Sequence, residues 1–182
     1  MSIPRAEPRA GDRTLRSVVF DTDVIARRVE ALGREITQAY PDGELVLVGL
    51  LKGSFIFLAD LVRAIARPVQ VDFLVVSSYG SGTVSSGEVR LLYEPAAALT
   101  GKHILVVEDI IDSGRTLEAL LDRLRSRAPL SLAICALLDK RIAPPIPEVR
   151  FVGFQAPPLF LVGYGLDHAE GLRHLPYIAE LG

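Results

Sequence analysis

The sequence has no tryptophan, one methionine and one cysteine among its 182 residues. A single thiol cannot close an internal disulfide, so a disulfide-framed scaffold is excluded and a reducing, cytoplasmic setting is expected. Long apolar runs are also missing. The most membrane-like stretch, residues 45–66, is interrupted by Lys52, Gly53, Ser54, Asp60 and Arg63, whereas a spanning helix needs about 20 nearly uncharged residues. The opening residues, with Pro4, Arg5, Glu7 and Pro8, lack the apolar core of a secretory signal, so none is expected. Neither sign of charge dominates. Twenty Lys and Arg against 22 Asp and Glu leave a net charge of −2, so bulk attraction to nucleic acid or an anionic membrane is not expected. Twelve prolines and 15 glycines are too few for a collagen-like or low-complexity chain. No internal repeat or interdomain linker is visible.

What is present is apolar. Hydrophobic residues make up 49% of the chain, charged residues 23%, and the mean hydropathy is +0.33. A chain of this length and character buries one core. We expect a single domain over residues 18–182, preceded by a flexible arm over 1–17 that carries four arginines, two acids and two prolines.

Spacing along the chain predicts an α/β fold. Ile25, Val29, Leu32 and Ile36 recur at three or four residues, one stripe of an amphipathic helix. Asp21 or Thr22 is placed to cap it, and Pro41, Asp42 and Gly43 to end it. Residues 45–50 form a short apolar run between turn residues, the pattern of a buried strand. Ser54 is expected to cap a helix over residues 55–67, which stops before Pro68. Further strands are expected over 69–78, 89–93, 103–107, 130–138, 151–154 and 160–164. A helix is expected over 115–127, with Leu117, Leu120, Leu121 and Leu124 on one stripe. Alternating strands and helices imply a mostly parallel sheet with helices on both faces.

The densest chemistry lies in residues 106–116, from Val106 through Glu108, Asp109, Ile110, Ile111, Asp112, Ser113, Gly114 and Arg115 to Thr116. The stretch starts as a buried strand and ends where a helix begins. Ligands of such sheets bind beyond the carboxyl ends of the strands. Free N–H groups at a helix start, with the helix dipole behind them, hold anions. Ser113, Gly114 and Thr116 therefore read as a phosphate cradle. Three carboxylates just before it would repel phosphate, so they need another partner. Sugar hydroxyls suit them, because a carboxylate accepts charge-assisted hydrogen bonds. The plainer alternative is a helix cap beside two solvated acids. The G-x-x-x-x-G-K spacing of a Walker loop is absent.

This stretch resembles the phosphoribosyl-pyrophosphate motif of type I phosphoribosyltransferases. Gly49–Ser54, Asp72–Tyr79, Leu137–Arg141 and Phe160–Asp167 narrow the resemblance to the hypoxanthine-guanine (6-oxopurine) branch. It covers about residues 18–178, with the motifs in order. The resemblance implies a type I phosphoribosyltransferase-like fold: a mostly parallel central sheet flanked by helices, with a small hood over the active site. It implies a purine salvage enzyme that joins hypoxanthine or guanine to phosphoribosyl pyrophosphate and releases pyrophosphate. A cytoplasmic homodimer or homotetramer is implied, with Mg²⁺ as cofactor and no nucleic-acid or membrane partner.

By the same resemblance, Glu108 and Asp109 hold the ribose hydroxyls, and with Asp167 they stand near Mg²⁺. Asp112 is the general base beside the purine. Asp112, Ser113, Gly114, Arg115 and Thr116 form the 5′-phosphate loop. Lys52 and Gly53, after a cis peptide, hold the pyrophosphate together with Arg173. Lys140 donates to the purine 6-oxo oxygen, Phe160 stacks on the base, and Leu161 and Asp167 line its pocket. Ser78 and Tyr79 open a mobile lid over 78–88. Seen alone, Phe160 would belong to a core, and Lys52 and Lys140 would be ordinary surface lysines.

Other features carry less. His103, His168 and His174 lack the spacing of a zinc site. Cys135 lies in an apolar strand and reads as a small buried hydrophobe. Arg123, Arg125 and Arg127 read as a solvated helix end. A reading from another class is a regulatory module that senses phosphoribosyl pyrophosphate and binds nucleic acid; the net charge and the full set of catalytic matches weigh against it.

Overall fold

The computed structural model describes residues 15–78, 89–112, 114–142 and 144–182. The elements run β1 (Leu15–Phe20), α1 (Thr22–Ala39), β2 (Leu45–Leu51), α2 (Phe55–Ala64), β3 (Gln70–Ser78), β4 (Val89–Tyr93), β5 (His103–Ile111), α3 (Arg115–Arg125), β6 (Ser131–Asp139), β7 (Val149–Gln155), β8 (Leu161–Val162) and β9 (Ile178–Leu181). Six strands form a sheet in the order β4-β3-β2-β5-β6-β7. The pairings are parallel, except that β4 returns antiparallel along β3. A second, antiparallel sheet has the order β1-β9-β8.

The apolar runs are continuous because both faces of the large sheet are covered. On one face Leu45, Leu47, Leu105, Val107 and Cys135 pack with Ile25, Val29, Leu32 and Ile36 of α1 and Phe57 and Leu61 of α2. On the other, Val46, Val48, Ile104 and Val106 meet Leu117, Leu120, Leu121 and Leu124 of α3. Burying one such aliphatic side chain contributes about 1.5–3 kcal/mol. The small sheet sits on the α1–α2 face, where Leu161 and Ile178 join that core and Phe20 stacks on Phe154 with centroids 4.3 Å apart. The small sheet is the hood. Arg28 of α1 donates to the carbonyls of Val152 at 2.7 Å and Gly153 at 2.9 Å on β7.

Several expectations change in detail. The first described strand begins at Leu15, so residues 15–17 belong to β1 and pair with β9 rather than to an arm. Asp21 caps α1, its Oδ1 accepting from the Val24 N–H at 2.8 Å. Ser54 takes the N-cap position of α2, but its side chain makes no capping bond; its buried hydroxyl donates back to the Leu50 carbonyl at 2.7 Å. Strand β5 runs past Val107 to Ile111, because Glu108, Ile110 and Ile111 stay in register with β6.

Candidate active site

The site gathers at the carboxyl ends of β2, β5 and β6, below the hood. Glu108 and Asp109 stand near the end of β5. Each residue keeps some exposed surface, but Glu108 Oε2 is buried and has no hydrogen-bond partner among the described residues. Burial, reinforced by the neighbouring Asp109 charge, pushes the Glu108 carboxyl well above the usual range. Burial also pushes Asp109 up to about 6, against the opposing pull of its own and the Ile110 N–H groups and of Arg173. Two carboxyls largely withdrawn from water, neither in a salt bridge among the described residues, are poised to take hydrogen-bond donors or a metal.

The turn after β2 meets this pair from the side. The Leu51–Lys52 peptide is cis, as the resemblance implies. The turn brings Gly53 flush against Asp109, so closely that a Cβ there would overlap the carboxylate. Only glycine lets the backbone approach to this depth. From the hood, Gly165 packs equally closely on the Gly53 carbonyl, at φ 104°. Gly53 is thus sandwiched between the Asp109 carboxylate and the backbone of Gly165.

Two cations border the stack. Lys52 Nζ reaches Glu170 at 3.0 Å, with both side chains largely exposed. Arg173 contacts Asp167 at 2.8 Å and Glu170 at 3.5 Å and donates to the Gly165 carbonyl at 2.8 Å. Asp167 also accepts from the Glu170 N–H at 2.9 Å, so both of its oxygens are engaged. The pairing with Lys52 holds the Glu170 carboxyl below its usual range.

On the far side of β5, Lys140 Nζ lies 3.1 Å from Asp112 Oδ2. The Lys140 side chain is 18% exposed and that of Asp112 55%, so the lysine is held while its partner faces the opening. Their strands are locked in register, and the Lys140 N–H donates to the Ile111 carbonyl at 3.1 Å. Next comes Gly114, with φ 73°, immediately before α3. Its carbonyl accepts the Glu118 N–H at 3.1 Å, while Arg115 and Thr116 supply the first turn of the helix.

Phe160 is 55% exposed, which overturns the core reading for this residue. Its ring meets His168 edge-on at 5.5 Å, giving that histidine a place beside the aromatic face that its spacing did not suggest. Leu161 is buried in β8. Ser78 ends β3 opposite Val89. Ser113 and Tyr79 lie outside the described residues, as does most of the expected lid.

The structure therefore brings Lys52, Gly53, Asp109, Asp167 and Arg173 together, and separately joins Asp112 to Lys140. Sequence reasoning missed Glu170 and the contact between Tyr164 and Asp60, whose hydroxyl and carboxylate lie 2.6 Å apart. No periodicity marks either, since both depend on how the hood folds back. Among the described residues no cluster of three or more His, Cys, Asp or Glu could hold a metal unaided. The enclosed Glu108 oxygen is a hard donor that suits Mg²⁺, which is commonly held by one or two carboxylates with substrate oxygens and water completing its shell.

The chain is similar to several known proteins. The chain is 47% identical over 172 residues to the hypoxanthine-guanine phosphoribosyltransferase of Dictyostelium discoideum, covering 91% of this chain and 95% of that protein. It is 50% identical over 172 residues to the hypoxanthine phosphoribosyltransferase of Salmonella typhimurium, covering 92% and 96%. The crystal structure of a hypoxanthine-guanine phosphoribosyltransferase from Bacillus anthracis superposes with a TM-score of 0.88 at 40% identity, covering 93% of this chain and all of that one, 100%. Residues 17–168 match the family described as "Phosphoribosyl transferase domain", and with that match spanning most of the sequence, the chain belongs to the phosphoribosyltransferase family.

Proposed function

We propose that this protein is a 6-oxopurine phosphoribosyltransferase of purine salvage. It transfers phosphoribosyl from phosphoribosyl pyrophosphate to hypoxanthine or guanine and yields the nucleoside monophosphate and pyrophosphate. The observation that carries the reading is the pairing of Lys140 with Asp112 at 3.1 Å, next to the Gly114 turn. An ammonium only donates and a carboxylate only accepts. Side by side, they match an oxo group and an adjacent ring N–H, and they mismatch the amino group of adenine.

In this reading Asp112 draws the proton from the purine N–H as the ring nitrogen bonds to the ribose anomeric carbon. The bond from that carbon to pyrophosphate breaks, and the electron pair leaves with the pyrophosphate. One well-placed base contributes about 10²–10⁴-fold. Glu108 and Asp109 accept from the ribose hydroxyls. Gly114, Arg115 and Thr116 offer the free N–H groups of α3 to the 5′-phosphate. Lys52 and Arg173 hold the pyrophosphate, and Phe160 covers the base. Glu108 and Asp109, with Asp167 nearby, would hold Mg²⁺ together with substrate oxygens, and the ion would neutralise charge on the leaving group.

A cytoplasmic homo-oligomer fits as well. Among the described residues no helix is long and apolar enough to cross a membrane. Val71 and Phe73 of β3 and Tyr93 of β4 leave an apolar area 37–45% exposed at the edge of the large sheet, a surface suited to a second copy. The deciding assay is pyrophosphate release from phosphoribosyl pyrophosphate and Mg²⁺ with hypoxanthine, guanine or xanthine. Turnover with hypoxanthine or guanine is expected; turnover with neither overturns the reading.

A further inference from the structure

Tyr164 is buried, at 6% exposure, in the hood segment between β8 and β9. Gly163, Tyr164 and Gly165 all have positive φ, at 99°, 50° and 104°. A tyrosine stays in that region only where its surroundings enforce it. Its N–H donates to the Leu175 carbonyl at 2.8 Å, and the Gly165 N–H donates to the Arg173 carbonyl at 3.0 Å. The phenol hydroxyl donates to Asp60 Oδ2 of α2 at 2.6 Å, while Arg63 pairs with the other oxygen of Asp60. Burial and the Asp60 carboxylate push the phenol far up, so it remains a donor.

The contact matters because of what lies on each side of it. Helix α2 starts directly after the Lys52–Gly53 turn. The hood segment carries Asp167 and Arg173, and its Gly165 rests on Gly53. One side-chain tie between these parts is Lys52 with Glu170, which is exposed and contributes little. Lys52 must also leave Glu170 to meet a pyrophosphate. The tie between Tyr164 and Asp60 uses no group that the substrate needs.

We propose that Tyr164 and Asp60 are positioning residues, which keep Gly165 and Arg173 registered on the Lys52–Gly53 turn while pyrophosphate engages Lys52. This rests on the reading above that the turn and Arg173 hold the pyrophosphate. The pair touches neither the purine nor the 5′-phosphate, so its loss falls on one substrate.

The experiment compares the full-length enzyme with Tyr164→Phe, Asp60→Ala, Asp60→Asn and the double variant Tyr164→Phe/Asp60→Ala. It measures KM for phosphoribosyl pyrophosphate, Kd for IMP and the melting temperature. Tyr164→Phe and Asp60→Ala should each raise KM about tenfold, the scale of one hydrogen bond to a charged group. Kd for IMP, which carries no pyrophosphate, should stay within about twofold. Asp60→Asn keeps an acceptor oxygen and should restore most of the wild-type KM. The double variant should be no worse than either single one. An active wild type whose Tyr164→Phe variant keeps its KM, or loses KM and IMP affinity equally, overturns this proposal alone. A wild type that turns over no purine overturns it together with the functional reading.

Discussion

Gly53 lies so close to Asp109 that a side chain at position 53 would overlap the carboxylate. Gly53→Ala should therefore displace Asp109 rather than unfold the protein. A shift of about 1 Å in a positioned group can cost about 100-fold. We expect kcat/KM for phosphoribosyl pyrophosphate to fall at least tenfold (about 1.4 kcal/mol), with a melting temperature close to wild type. Steady-state kinetics beside a thermal melt checks this, and an unchanged kcat/KM would contradict the packing.

The pair of Lys140 and Asp112 should separate into two phenotypes. Asp112→Asn keeps the shape and removes the proton acceptor, so kcat should fall by about 10²–10⁴ with much less change in KM for phosphoribosyl pyrophosphate. Lys140→Met removes the donor to the oxo group, so KM for hypoxanthine should rise about tenfold or more. Equal loss in kcat and in phosphoribosyl-pyrophosphate affinity for Asp112→Asn would remove it from the role of base.

Asp109 gives the ligand-free protein a defined pH response. Its carboxyl titrates near 3.8 when unperturbed and is pushed up to about 6 in the fold. Between those values the native state keeps a proton that the unfolded chain has released. The resulting stabilisation is complete below about pH 4 and is lost as the pH rises through about 6. Relative to Asp109→Asn, the wild type should lose stability across that window and run parallel to it above. Urea midpoints from pH 4 to 7.5 test this; a constant difference would show that the carboxyl is not perturbed.

Cys135 is fully buried, at 0% exposure, and burial pushes its thiol far up. Reaction with a thiol reagent requires the thiolate and access. Native protein should stay unmodified over hours, while denatured protein should take up one label. Mass spectrometry after timed alkylation gives the result, and rapid labelling of the native protein would contradict the placement in the core.

The stripe of α1 and the apolar runs of β2, β5 and β6 are legible in the sequence through periodicity, because burial on both faces leaves a continuous signal. Elements held by pairing rather than composition are less visible. Strand β9 carries no such signal, and β1 reads in part as an arm. Both are short and mixed in burial; β1 becomes a strand by pairing with β9, and β9 by pairing with β1 and β8. The residues of the 5′-phosphate turn and the acid pair stand out in the sequence since they are contiguous. The partnership of Glu170 with Lys52 spans 118 positions and that of Tyr164 with Asp60 spans 104. No local spacing carries contacts of that range.

The contact of Arg28 with β7 bears on behaviour in solution. β7 ends the large sheet, and the last strand of a sheet offers backbone groups to any extended peptide it meets. With the Val152 and Gly153 carbonyls already accepting from the guanidinium, and Glu35 pairing with the same side chain at 2.6 Å, that part of the border is closed to strand addition. Replacing Arg28 would reopen it, and the first sign would be self-association during concentration or refolding, ahead of any loss of catalysis.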